Sequence, residues 1–178
     1  MSETIIKAVV PAAGLGTRLL PATKSQPKEM LPVGRKPVMQ HVVEELQSAN
    51  LHQILVITGR RKRAVEDHFD LDPQLASVLR EAGHEQRLAD LEFLDKDTRL
   101  FYTRQAEPKG LGHAVSLGAD FVDGEHCVVA LGDTLIGVRD HAAALRKMIK
   151  AHLDLDAAAV VAVEAVPDSE THRYGIVS

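Results

Sequence analysis

Residues 5–32 read IIKAVVPAAGLGTRLLPATKSQPKEMLP, and the parsing of this stretch decides the fold. Ile5 to Pro11 is a short, β-branched apolar run that predicts a buried strand. Ala12 to Pro32 then changes character. Gly14 and Gly16 lack a β-carbon and let a ligand approach the main chain, so the amides of residues 13–17 can converge on anionic oxygens. Arg18 and Lys28 add positive charge to this phosphate cradle.

Two common glycine motifs do not fit. The dinucleotide fingerprint requires a third glycine three residues after Gly16, where Leu19 stands, and an uninterrupted helix, where Pro21 stands. A Walker A loop requires Gly, Lys and Ser or Thr in succession, and no such triplet occurs. Pro21, Pro27, Pro32 and Pro37 each fix φ and remove a donor, which predicts a long ordered lid or binding loop.

Outward from this stretch, short β-branched runs alternate with amphipathic ones, the signal of βαβ units and a mostly parallel sheet. Val38, Val42, Val43 and Leu46 predict a helix over Val38 to Asn50, Gln53 to Thr58 a second strand, and Arg60 to His68 a short helix. The cluster Arg60, Arg61, Lys62 and Arg63 reads as a solvated first turn in preference to a phosphate site. Pro73 to Leu94 predicts a helical insertion bent near Gly83, with Leu75, Val78, Leu79 and Leu88 as its apolar stripe. Arg99 to Gln105 is a third strand, Leu111 to Asp120 a helix, His126 to Leu131 a fourth strand and Val138 to Leu153 a helix burying Ala142, Leu145, Met148 and Ile149. Ala157 to Val166 reads as a buried strand, and Tyr174 to Val177 as the start of another. The expected fold is α/β and doubly wound, a Rossmann-like single domain over residues 1–178 that is incomplete on its C-terminal side. Ligands of such sheets bind beyond the carboxyl ends of the strands, which brings the turn after Gln105 and the Gly132–Asp133 pair to face the glycine loop.

Composition narrows the function classes. The 178 residues are 45% hydrophobic and 26% charged, the balance of a globular chain with one substantial core. A formal charge of −4 supplies no basic field for nucleic acid. Cys127 is the single cysteine, which excludes an internal disulfide and reads as a small buried hydrophobe. No run approaches the roughly 18 apolar residues of a membrane span, and MSETIIK has no signal-peptide character, so the expected location is cytoplasmic. The nine histidines are scattered without paired ligand spacing, which argues against zinc; His113 reads as a helix-start residue near a ligand turn.

The segment AAGLGTRLLPATKSQPKEMLP, followed by VGRKPVMQHVVEE, resembles the signature of sugar-phosphate nucleotidyltransferases, and most closely their bacterial branch that acts on UTP and glucose 1-phosphate. RQAEPKGLGHAV, VVALGDTLI and RYGIV follow in the family's order, so the resemblance runs from Lys7 to the last residue. It implies uridylyl transfer from UTP to glucose 1-phosphate with Mg2+, small-molecule partners only, and a homo-oligomer at full length. Such chemistry needs no general base, because the attacking phosphate is already anionic; it needs cations, amides and a metal to hold two polyanions in line. The resemblance assigns Arg18 to the triphosphate and leaving pyrophosphate, and Lys28 to the space between the substrates. Ala13, Gly14, Gly16 and Thr17 hold the nucleotide, while Gln105 and Gly110 read its base, the Gln105 amide donating and accepting at once. The resemblance further places Gly175 near the sugar and makes Asp133 the magnesium ligand; the sequence alone favours a tight-turn role for Asp133, and the family match reverses that. Residues 1–135 form the nucleotide-binding part and 136–178 begin the sugar-phosphate-binding part.

Arg35 stands where the family usually has aspartate, and Gly132 where the uridylyl branch usually has proline, a feature shared with thymidylyltransferases. The family's later Glu-Lys-Pro motif and second metal-binding aspartate are not in this sequence. A thymidylyltransferase, a nucleotide-binding module without catalysis, and a partial chain that exposes its apolar edge near Val160 to Val166 are the alternatives.

Overall fold

The computed structural model describes residues 4–136 and 142–177. Four strands form one parallel sheet: β1 (Lys7–Pro11), β4 (Gln53–Thr58), β5 (Arg99–Arg104) and β6 (Cys127–Val129), in the order β5-β4-β1-β6. The intervening strands β2 (Pro32–Val33) and β3 (Lys36–Pro37) make a small antiparallel hairpin that closes the proline-rich loop.

Alternation along β1 and β4 builds the two faces. Ala8, Val10, Ile54 and Val56 face one cluster, covered by Met39, Val42, Val43 and Leu46 of helix α1 (Val38–Ser48), with Val65 and Phe69 of α2 (Arg63–Phe69) beside them. Val9, Leu55 and Ile57 face the other, covered by Ala114 of α5 (Leu111–Ser116) and by Phe121 and Val122 of α6 (Ala119–Val122). Helices on both faces of a parallel sheet make the α/β, doubly wound fold expected from the sequence. The chain runs from β1 outward through β4 to β5 and then crosses back to β6 on the other side of β1. The strand order therefore reverses between β1 and β6, the position where such folds open a crevice for ligands.

Several boundaries differ from the sequence expectations. The 73–94 insertion is two helices, α3 (Pro73–Glu81) and α4 (Glu85–Leu91), separated at Gly83 with φ +67°. Its stripe is not a core face: Leu75 and Val78 stay exposed, and only Ala76 of α3 is buried, because the pair packs chiefly on itself at the rim. The expected helix over Leu111 to Asp120 breaks at Gly118, where a β-carbon would lie 3.1 Å from Val9 Cγ2, so close approach to the sheet takes precedence over helical continuity. Helix α7 (Ala143–Asp154) starts later than expected; Val138 to His141 lie outside the described residues. Ala142 and Leu145 are buried as expected, with Ile149 packed on the same cluster. Cys127 is half-buried on β6, and burial pushes its thiol pKa up although Lys7 pulls it down.

The larger correction concerns the C-terminal stretch. Neither Ala157 to Val166 nor Tyr174 to Val177 forms a strand, and Val161, Val163, Ile176 and Val177 are exposed. An apolar run becomes a strand only when a neighbour satisfies its backbone groups, and no described strand pairs with it. Among the described residues, no helix is long and apolar enough to cross a membrane.

Candidate functional site

Because the sheet is parallel, the carboxyl ends of its four strands open on one edge and deliver Ala12, Gly59, Gln105 and, shortly after β6, Gly132–Asp133. Backbone bonds hold that edge. Ala12 N–H donates to Ile57 at 2.9 Å, Gln105 N–H to Thr58 at 2.9 Å and Gly132 N–H to Pro11 at 3.4 Å.

The loop after β1 is ordered by short 3-10 turns at Thr17–Leu19, Ala22–Lys24 and Lys28–Met30. Of its two glycines only Gly16 takes a left-handed conformation, at φ +70°, and there a β-carbon would sit 3.2 Å from Thr23. Thr23 Oγ1 donates to the Gly16 carbonyl at 2.7 Å and pins the turn. A β-carbon on Gly14 would touch the end of Lys28, 3.7 Å from Nζ, so the Lys28 ammonium lies over the glycine loop. Ala13 is buried against Gly59, whose own β-carbon would come to 3.0 Å from the Ala13 carbonyl oxygen. Thr17 and Arg18 project into solvent, and Arg18 has no hydrogen-bond or ion-pair partner among the described residues.

Across the switch point, Lys28 Nζ meets Asp133 Oδ2 at 2.6 Å. The two residues are 105 positions apart, and the pair is partly open to solvent. The structure thus brings together two residues of opposite charge to which the family resemblance assigns chemistry. No group of three or more possible metal-binding side chains occurs among the described residues. A site here offers a single carboxylate, which matches magnesium bound mainly by substrate phosphates and water.

A second ion pair lies beneath the first and was missed from sequence. Glu29, next to Lys28, is fully buried and accepts from Lys62 Nζ at 2.6 Å; its Oε1 is buried without a protein partner. Lys62 thus leaves the solvated cluster to which the sequence assigned it, while Arg60, Arg61 and Arg63 remain exposed. The signal was present: Lys62, the residue that caps α2, lies three residues before buried Val65 and seven before buried Phe69, in line with the inward face of that helix.

At the far end of the same edge, Gln105 is 5% exposed. Its amide nitrogen donates to the Gly110 carbonyl at 3.2 Å and lies 2.9 Å from His113 Nδ1. Gly110 has φ +91° and begins α5, so glycine is required there by conformation. Strands stand about 4.8 Å apart, which puts the β5 end roughly 10 Å from the β1 end, a mononucleotide's reach from base to phosphate. Gly175 is not brought in: it lies in an exposed coil with open space around it.

Residues 7–178 match the family model described as nucleotidyl transferase. The chain is 44% identical over 175 residues to UTP–glucose-1-phosphate uridylyltransferases of Staphylococcus haemolyticus and Bacillus subtilis, covering 98% of its own length in each case and 60% and 59% of theirs. Among solved structures it superposes on a UDP-glucose pyrophosphorylase from Acinetobacter baumannii with a TM-score of 0.91 and 37% identity, over 97% of this chain and 61% of that one. A UTP-bound enzyme from the same organism gives a TM-score of 0.82 and 35% identity, over 86% of this chain and 54% of that one. The chain therefore spans about 60% of the length of the curated relatives it matches.

Proposed function

The chain belongs to the nucleotidyl transferase family, and from that premise we propose that it carries the uridylyl-transfer site of an enzyme converting UTP and glucose 1-phosphate to UDP-glucose and pyrophosphate. The observation that carries this reading is the 2.6 Å Lys28–Asp133 pair, set between the glycine loop and the end of β6 at the switch point.

A phosphate oxygen of glucose 1-phosphate attacks the α-phosphorus of UTP, and the bond to the bridging oxygen of pyrophosphate breaks on the opposite side. No proton has to be removed, so the reaction needs no nucleophile and base couple. The amides of Ala13 to Thr17 hold the triphosphate. Arg18, exposed and without an ion-pair partner among the described residues, supplies a planar fork suited to the β- and γ-phosphates and to the leaving pyrophosphate. Lys28 moves its ammonium from Asp133 to the α-phosphate and sugar-phosphate oxygens, stabilising charge where it develops. Asp133 would hold magnesium, which when bound neutralises phosphate charge at the reacting centre. Gln105 and Gly110 receive the base, and residues 136–178 begin the sugar-phosphate side, with Gly175 standing apart from the assembled edge.

Pyrophosphate release with UTP, glucose 1-phosphate and magnesium tests the reading. Lys28→Ala and Asp133→Ala are each expected to lower the rate by about 100-fold or more with unchanged circular dichroism. Undiminished turnover in both variants would overturn it.

A further inference from the structure

We propose that His113 is a positioning residue that fixes which face of the Gln105 amide meets the nucleobase, and thereby selects bases carrying an imide N–H. This rests on the reading of Gln105 as the base contact.

The Gly110 carbonyl can only accept a hydrogen bond, so the Gln105 atom 3.2 Å from it must be the amide nitrogen; the reverse orientation would press two acceptor oxygens together. The same nitrogen lies 2.9 Å from His113 Nδ1. An amide nitrogen only donates, which makes Nδ1 the acceptor and requires the neutral His113 ring to carry its proton on Nε2. Both Gln105 amide hydrogens are then engaged inside the protein. The Gln105 carbonyl oxygen has no partner among the described residues and is not one of the sealed-off buried atoms, so it is the polar face this side chain presents outward. An amide oxygen locked in this way accepts from the N3–H of uracil or thymine and repels the N3 lone pair of cytosine. Instead of donating and accepting at once, Gln105 is held as an acceptor.

Removing the His113 acceptor leaves one amide hydrogen unpaired and the amide held only by the longer 3.2 Å bond to the Gly110 carbonyl, so the reverse orientation becomes less costly. A purely structural histidine would weaken all nucleotides alike; an orienting one changes their ratio. Calorimetry of this chain with UTP and with CTP is therefore compared for the native protein, His113→Ala and His113→Asp. The native protein is expected to prefer UTP, and His113→Ala to reduce the UTP-to-CTP affinity ratio by about three- to tenfold, the worth of one hydrogen bond. His113→Asp, which places an acceptor-only oxygen near the position of Nδ1, is expected to keep the ratio. An unchanged ratio in His113→Ala, or an equal loss in His113→Asp, would overturn the proposal while leaving the nucleotide site standing. Failure of the native chain to bind either nucleotide would overturn the underlying reading and this inference together. Nitrogen NMR of the native protein gives an independent check that needs no variant to fold: the His113 ring is expected as the Nε2–H tautomer, and an Nδ1–H ring would overturn the assignment.

Discussion

Residues 54–58, ILVIT, and residues 160–166, VVAVEAV, are both β-branched apolar runs, yet Val56 is fully buried and Val161 is 72% exposed. The first run is β4, bonded to β1 on one side and β5 on the other, with helices over both faces. The second has no ladder to join among the described residues and forms no regular element. Local preference is similar; the available partners differ. The sheet edge carrying Lys28, Gln105 and Asp133 is therefore a property of the assembled strands, and substitutions at those contacts should disturb it while substitutions in the unpaired run should not.

The largest effect is expected at the buried pair under the loop. Lys62→Met strands the Glu29 carboxylate in the interior and is expected to cost about 3–5 kcal/mol in urea unfolding. Adding Glu29→Gln removes that stranded charge, so the double variant should recover much of the loss. A single variant of native stability would mean that the pair does not hold the loop.

Gly59→Ala comes next. Its β-carbon would lie 3.0 Å from the Ala13 carbonyl oxygen, a backbone atom that yields only by moving the glycine loop. The expected cost is about 1–3 kcal/mol, together with weaker UTP binding by calorimetry. Thr23→Val is smaller: it removes the 2.7 Å bond to the Gly16 carbonyl while keeping the shape, for about 0.5–1.5 kcal/mol by the same unfolding assay.

Which parts were legible in the sequence follows the same division. The order of elements around β1, β4 and β5 was readable because β-branched runs and helical spacing each leave a period in the chain. The roles of Lys28 and Asp133 stood out only through the family resemblance; by residue context alone Asp133, beside Gly132, reads first as a tight-turn aspartate. Their 2.6 Å contact was not readable, since 105 intervening residues carry no record of distance. Lys62 was misjudged because one inward cation hides among three outward ones, and only its spacing to Val65 and Phe69 distinguishes it. The run at 160–166 was misjudged for the complementary reason: composition reports what a segment prefers and is silent about whether a partner strand stands beside it.

The smallest effect, expected at Val161, becomes the most direct test of that last point when it is set beside the same change at Val56. Val→Thr exchanges a methyl for a hydroxyl of nearly equal volume, so its cost reports the environment of the polar group. At Val56 the hydroxyl enters a sealed core, for an expected loss of about 1–3 kcal/mol. At Val161 the hydroxyl meets water, and the expected change is within about 0.5 kcal/mol. Urea unfolding of the two variants side by side measures the difference while side-chain shape stays nearly constant. Equal costs at both positions would mean that 160–166 buries its side chains in solution as β4 does; a large cost at Val56 alone ties strand formation to the neighbours that β4 has and this run lacks.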